Sequence, residues 1–199
     1  TTTTGIQRVS TRLRAYSRTM SNARRQIEAW LKTIDVKGSV LDVGGLFWPV
    51  RGRTKSWDAG LYDILDVKPT RNGVTAAYVC DLNKPCNPLY LLYDIVFCVE
   101  VTDHFWNPVQ AFRNIATMVA KGGTLYISSN FLFPHHTGFD CIRLTRTGLE
   151  KILTETGFEV VEVKPRMAVN EQLGTALDLE SKVQYHKGET GYFVQARKI

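Results

Sequence analysis

The chain has 199 residues, 44% of them hydrophobic, and a formal charge of +6. That length and composition suit one globular domain with a real core. No apolar run is long enough to cross a bilayer and no signal-peptide pattern opens the chain, which argues against a membrane protein and predicts a cytoplasmic one. The four cysteines, Cys80, Cys86, Cys98 and Cys141, form no C-x-x-C pair. A zinc ribbon is therefore disfavoured, no metal site is expected, and reduced, mostly buried thiols are predicted.

The excess charge is concentrated at the start. Residues 1–34 hold Arg8, Arg12, Arg14, Arg18, Arg24, Arg25 and Lys32 against Glu28 alone, and the remainder is balanced. Apolar residues recur there at Val9, Leu13, Tyr16, Met20, Ala23, Ile27, Trp30 and Ile34, a helical period. Two helices are predicted, the firmer one from about Asn22 to Thr33, because Thr19 to Asn22 is weak helix former and good cap material. Docking on the domain edge is the plainest role. A lid, a homo-oligomer seam or a basic patch for an acidic partner are the sharper ones. The expected division is a basic helical extension over 1–35 and one globular domain over 36–199.

A strand is predicted through Val40 to Val43, breaking on Gly44-Gly45. Trp48 to Gly60 holds Pro49, Gly52 and four basic residues, so the first crossover helix should be short or distorted. Strands follow at Leu61–Val67, Val74–Cys80 and Tyr93–Val99, the last near-continuously apolar and so central. Pro108–Val119 reads as a helix ended by Lys121-Gly122-Gly123, and Thr124–Ser129 as a strand. Thr147–Thr156 reads as a helix stopped by Gly157, with strands at Phe158–Val163 and Tyr192–Arg197. Alternating strands and helices imply a mainly parallel sheet with helices on both faces.

Acids recur at three strand ends: Asp42, Asp66 and Asp81. Such ends line the ligand crevice of an open α/β sheet. Asp66, 21 residues past Gly45, has the spacing of a ribose-binding acid. A dinucleotide fingerprint needs G-x-G-x-x-G, but counting from Gly44, Leu46 and Pro49 occupy its second and third glycine positions. A pyrophosphate cradle is disfavoured, and no Gly-Lys-Ser/Thr suggests a P-loop. A ligand with a ribose and no phosphate fits better than a nicotinamide cofactor.

Tyr93-Asp94-Ile95-Val96-Phe97-Cys98-Val99-Glu100-Val101-Thr102-Asp103-His104, then Asn107-Pro108, Asn114-Ile115 and Lys121-Gly122-Gly123, resembles the class I S-adenosylmethionine-dependent methyltransferases, closest to their type 11-like subgroup. The resemblance covers roughly Val40 to Ile199. Pro134-His135-His136, Asp140 to Thr145 and Gly157-Phe158 are similar to a branch of that subgroup whose members often modify glycans or small metabolites. It implies a Rossmann-like, seven-stranded, mostly parallel sheet with an antiparallel C-terminal strand. It implies S-adenosyl-L-methionine as cofactor, with Asp42, Gly44, Gly45 and Leu46 shaping the methionine end of the pocket and Asp66 holding the ribose. Asp81 and Leu82 would frame the adenine, and Cys98, Val99 and Glu100 would lie beneath the cofactor. The departure is Leu46-Phe47-Trp48, where the family carries further glycines. Those side chains are expected to narrow the cofactor approach.

The implied reaction is methyl transfer to an oxygen or nitrogen of a small molecule or glycan. His104, His135 and His136 are the candidate proton acceptors, with His104 first because it follows the cofactor strand. Asp140 and Arg143 are expected to fix their loop by pairing with each other. An RNA methyltransferase, motivated by the basic N-terminal helices, and a non-catalytic binding or scaffold module on the same fold are the rival readings.

Overall fold

The structure is a computed structural model that describes residues 21–86, 91–135, 138–167 and 189–199. The first expected helix and His136 lie outside these residues.

Helix α1 spans Asn22–Leu31 and is capped by Ser21, whose hydroxyl accepts the Arg24 N–H at 3.2 Å. Strands β1 (Asp35–Val43) and β2 (Ser56–Asp66) follow, then the short strands β3 (Thr70–Arg71), β4 (Val74–Thr75) and β5 (Tyr78–Val79). Next come β6 (Tyr93–Val99), a 3-10 turn at Thr102–His104, α2 (Pro108–Ala116) and β7 (Val119–Asn130). Helix α3 (Arg146–Glu155), β8 (Phe158–Met167) and β9 (Glu189–Lys198) are the last elements among the described residues.

Seven strands form one sheet in the order β5-β2-β1-β6-β7-β9-β8. All pairings from β5 to β7 are parallel, and β9 runs antiparallel to both its neighbours. The expected Rossmann-like sheet with a reversed C-terminal strand is present. The order turns back between β1 and β6, which opens a crevice at the carboxyl ends of β1, β2, β5 and β6.

Side-chain alternation divides the core between the two faces. Leu41, Val43, Val96, Cys98, Leu125 and Ile127 pack with Phe112, Ile115, Leu149 and Leu153 of α2 and α3. Val36, Val40, Ile95 and Phe97 pack on the opposite face with Ile27, Trp30 and Leu31 of α1. Trp30 stacks on Phe193 of β9 with ring centroids 4.7 Å apart. Burying side chains of this size contributes about 1.5–3 kcal/mol each, so α1 is an integral cover of that face. Its apolar stripe is satisfied within the chain.

The crossover from β1 to β2, residues 44–55, contains no helix. Pro49 and Gly52 explain this, the latter with a left-handed φ of 80°. Instead α1 fastens the crossover. Arg53 donates to both carboxylate oxygens of Glu28 at 2.8 and 3.2 Å, and the Arg24 guanidinium lies 4.2 Å from the Trp48 ring centroid.

Three expectations need correction. The strand expected at Val74–Cys80 is two short ones, because Asn72 (φ 52°) and Gly73 (φ 80°) close a tight hairpin between β3 and β4. Two successive positive φ values suit an Asn-Gly hairpin turn. Lys121-Gly122-Gly123 does not end α2. It lies within β7, where the register jumps from Tyr93↔Val119 to Ile95↔Thr124, a bulge that the left-handed Gly122 (φ 78°) permits. Finally, Cys80 and Cys86 are joined in a disulfide rather than held as two thiols, leaving Cys98 buried and Cys141 exposed.

Candidate active site

The crevice is built from its turn outward. Gly44 leaves β1 with φ 74°, and its N–H donates to the Leu65 carbonyl at 2.7 Å. A β-carbon there would lie 2.5 Å from Val101 Cγ2, so the end of β1 and the loop after β6 approach too closely for any side chain. At Gly45 a β-carbon would lie 2.5 Å from the carboxyl carbon of Asp42. Both glycines are therefore required by a close approach, as a nucleoside-binding turn demands.

Asp42 itself is buried. Its Oδ2 accepts the Val50 N–H at 2.8 Å and the Tyr62 hydroxyl at 2.7 Å. The carboxylate thus ties β1, the crossover and β2 together. Burial pushes its pKa up to about 6, against the lowering effect of those two bonds.

The bulky residues after Gly45 are drawn away by other partners. Leu46 is buried in a small cluster with Ile64 and Ala76. Phe47 is half exposed beneath Arg71, whose guanidinium lies 3.9 Å from the ring centroid, and Trp48 is covered by Arg24. Each of the three has a packing partner outside β1.

Asp66, at the end of β2, accepts the Lys68 N–H through Oδ1 at 3.2 Å. The residue is half-buried, and its Oδ2 takes no hydrogen bond from the described residues. Asp81 accepts both the backbone N–H and the side-chain amide of Asn83 through Oδ1, and its Oδ2 lies 3.6 Å from Lys84 Nζ. The Leu82 side chain is buried in the main core, and its carbonyl accepts Asn114 Nδ2 at 2.8 Å.

Asn114 of α2 secures this whole loop. Its amide also donates to the Lys84 carbonyl at 2.7 Å, and its Oδ1 accepts the Gln110 amide at 3.0 Å. Asn114→Ala strands two carbonyls and should cost about 2 kcal/mol of stability. Thermal unfolding should show this as a fall of about 4–8 °C; an unchanged midpoint would show that the disulfide alone holds the loop.

Cys98 is buried at the end of β6 and its thiol is pushed well above its ordinary range, chiefly by burial, so it is inert. Val99 is half-buried against the α1 side of the sheet. Glu100 follows with a left-handed φ of 58°, rare for a non-glycine residue. Its carboxylate is not alone: Arg166 Nη1 lies 2.7 Å from Oε1. Sequence reasoning missed Arg166, which is 1% exposed on the edge strand β8. Its Nε has no hydrogen-bond partner among the described residues. A buried donor in that state costs about 1–3 kcal/mol, which argues for a role other than stability.

Two of the candidate proton acceptors, His104 and His135, lie among the described residues. His104 closes the 3-10 turn, and its Nδ1 lies 2.8 Å from the Phe139 carbonyl. A carbonyl only accepts, so Nδ1 carries a proton, and in the neutral ring the lone pair is on Nε2. The Cys141 N–H donates to the Asp103 carbonyl at 2.7 Å, so the loops after β6 and β7 are stitched at this point. His135 is exposed on the later loop. Asp140 and Arg143 pair with each other, as expected. Among the described residues no group of three His, Cys, Asp or Glu is placed to hold a metal ion. No helix of the described residues is long and apolar enough to cross a membrane.

Crevice and donors fit S-adenosylmethionine. The glycine turn admits close backbone approach, and Asp66 and Asp81 place carboxylate acceptors at and beyond the ends of β2 and β5. Comparison with known proteins agrees. A family model for a methyltransferase domain matches residues 14–163. No curated protein matches the chain at a significant level. Among solved structures, an S-adenosylmethionine-dependent methyltransferase from Mesorhizobium loti is similar at TM-score 0.60 and 16% identity, covering 89% of this chain and 98% of that one. A Haloferax volcanii structure, of the Trm112 methyltransferase activator complexed with a methyltransferase, gives TM-score 0.60 and 16% identity over 89% of each chain. The N-methyltransferase NodS of Bradyrhizobium japonicum, solved with S-adenosyl-L-homocysteine, gives TM-score 0.58 and 15% identity over 88% and 87%. At these identities the structures speak for the fold, and the family match carries the rest: the chain belongs to the class I S-adenosylmethionine-dependent methyltransferases.

Proposed function

We propose that the chain transfers a methyl group from S-adenosylmethionine to an oxygen or nitrogen of a small molecule or glycan. The observation that carries the cofactor side is Asp66, a half-buried carboxylate at the end of β2 with only one oxygen engaged among the described residues. Asp66 would hold the ribose hydroxyls, Asp81 and Leu82 the adenine, and the Gly44-Gly45 turn the methionine end. When bound, the cofactor supplies an electrophilic sulfonium methyl group. The protein's part is to orient the acceptor in line and to take its proton. His104 Nε2, with its lone pair fixed by the Phe139 carbonyl on the other ring nitrogen, supports that role.

Calorimetric titration with S-adenosylmethionine and S-adenosylhomocysteine tests the reading. Replacing Asp66 by Ala removes a charge-assisted, bidentate acceptor and should weaken binding by about 1.5–3 kcal/mol. That corresponds to about ten- to more than a hundredfold in Kd. Absence of binding to the wild-type chain would defeat the reading.

A further inference from the structure

Arg166 heads the fully buried side chains by volume, although it is charged and lies on an edge strand. It reaches inward past β9 at Gly191, where a β-carbon would lie 3.2 Å from Arg166 Cδ. Beyond that gap Nη1 donates to Glu100 Oε1 and to Asn130 Oδ1, both at 2.7 Å. The Ser128 hydroxyl donates to the same Glu100 Oε1, also at 2.7 Å. One side chain thus links the carboxyl ends of β8, β7 and β6.

The result is an asymmetric carboxylate. Glu100 Oε1 is fixed by two short bonds, whereas Oε2 has a single long contact of 3.4 Å with Asn130 Nδ2. The Glu100 side chain is 26% exposed, and its left-handed backbone is held by a 2.8 Å bond from its N–H to Ser128 Oγ. A strained non-glycine residue persists only where its surroundings over-determine it, and such residues gather at ligand sites. The position is telling as well. Val101, the next residue, abuts the Gly44 turn. Asp66 and Asp81 lie on the other side of β1, on β2 and after β5. A cofactor whose adenosine is turned toward those acids sends its amino-acid end toward β1 and β6, and that end carries an ammonium group.

We propose that Arg166 is a positioning residue for the amino-acid end of the cofactor, holding Glu100 so that Oε2 accepts a hydrogen bond from the ligand's ammonium. Arg166 touches no ligand in this scheme and acts through Glu100. The inference rests on the S-adenosylmethionine reading above.

The test needs no acceptor. S-adenosylhomocysteine and 5′-methylthioadenosine share the nucleoside and the thioether, and only the first carries the amino-acid end. By calorimetry, Glu100→Gln should weaken S-adenosylhomocysteine about tenfold or more and change methylthioadenosine less than about threefold. Arg166→Met should show the same split, and Arg166→Lys should recover part of it. If Arg166→Met does not fold, Glu100→Gln carries the test, since its amide oxygen still accepts from Ser128 and Arg166. Equal losses for both ligands, or no loss for either, would overturn the proposal and leave the pair as a staple of the sheet. A wild-type chain that binds neither nucleoside would overturn the cofactor reading and this inference with it.

Discussion

Gly191→Ala is expected to lower the stability of the fold by about 3 kcal/mol, the upper end of what overpacking costs. The added methyl would lie 2.3 Å from the Ser129 carbonyl oxygen and 3.3 Å from Asn130 Cα. Neither atom can rotate away, because both belong to the backbone of β7, and β9 pairs with β7 from Thr124↔Arg197 to Asn130↔Gly191. Relief requires β9 to move off the central sheet at the end where Arg166 crosses it. For a chain of this length the melting temperature should fall by about 6–12 °C, and differential scanning calorimetry reads it directly. Because the shift disturbs Ser129, Asn130 and Arg166 together, S-adenosylhomocysteine should bind more weakly as well. A fall of less than about 2 °C would show that the strand end is loose, and would remove the argument that Gly191 exists to let Arg166 through.

What the sequence disclosed and what it withheld divide along contact distance. Tyr93–Val99 was legible to the residue because a near-continuous apolar run has one stable place, the sheet centre. Asn22, Pro108 and Gly157 marked element ends through local capping and left-handed chemistry. The hairpin at Asn72-Gly73 was equally local, and its dipeptide signal was there to be used; the reading of one strand over Val74–Cys80 passed over it. Lys121-Gly122-Gly123 misled because glycines end helices and also make bulges, and only strand register separates the two. The three crevice acids were found from spacing, yet the state of each was not. Nothing local says that Asp42 faces Tyr62, 20 residues on, or that Arg166 meets Glu100 across 66 residues. The partners of Leu46, Phe47 and Trp48 were hidden for the same reason, since Ile64, Arg71 and Arg24 are distant in sequence.

Asp42→Asn should make the protein more stable at neutral pH while weakening its hold on the cofactor. The folded-state pKa of Asp42 is about 6, raised from an ordinary 3.8 by burial. The folded chain therefore binds this proton more readily than the unfolded chain. Stability rises as pH falls from about 6 to about 4, and above pH 6 the full penalty of burying the charge applies. The gap corresponds to about 3 kcal/mol. Asp35 and Asp94 have lowered pKa values, owing chiefly to hydrogen bonds from Lys55 and Ser39, so their contributions are lost only as the pH falls below about 4. The two windows do not overlap, and between pH 6 and about 4 Asp42 makes the chain more stable as the pH falls; Asp103, raised chiefly by burial, acts in the same direction. Asparagine can present its oxygen to the Val50 N–H and the Tyr62 hydroxyl without carrying a charge. Urea unfolding across this range should show the wild-type chain gaining stability toward acid and Asp42→Asn responding less, with the variant ahead at pH 7 by up to about 3 kcal/mol. A chain that keeps a buried charge at such a cost has use for the charge beside the Gly44-Gly45 turn, where the cationic end of the ligand is expected. Weaker binding of S-adenosylhomocysteine by the more stable variant would show that use. If binding is unchanged, Asp42 is a hinge pin for the crossover and nothing more; if the two chains share one pH slope, its pKa is not raised at all.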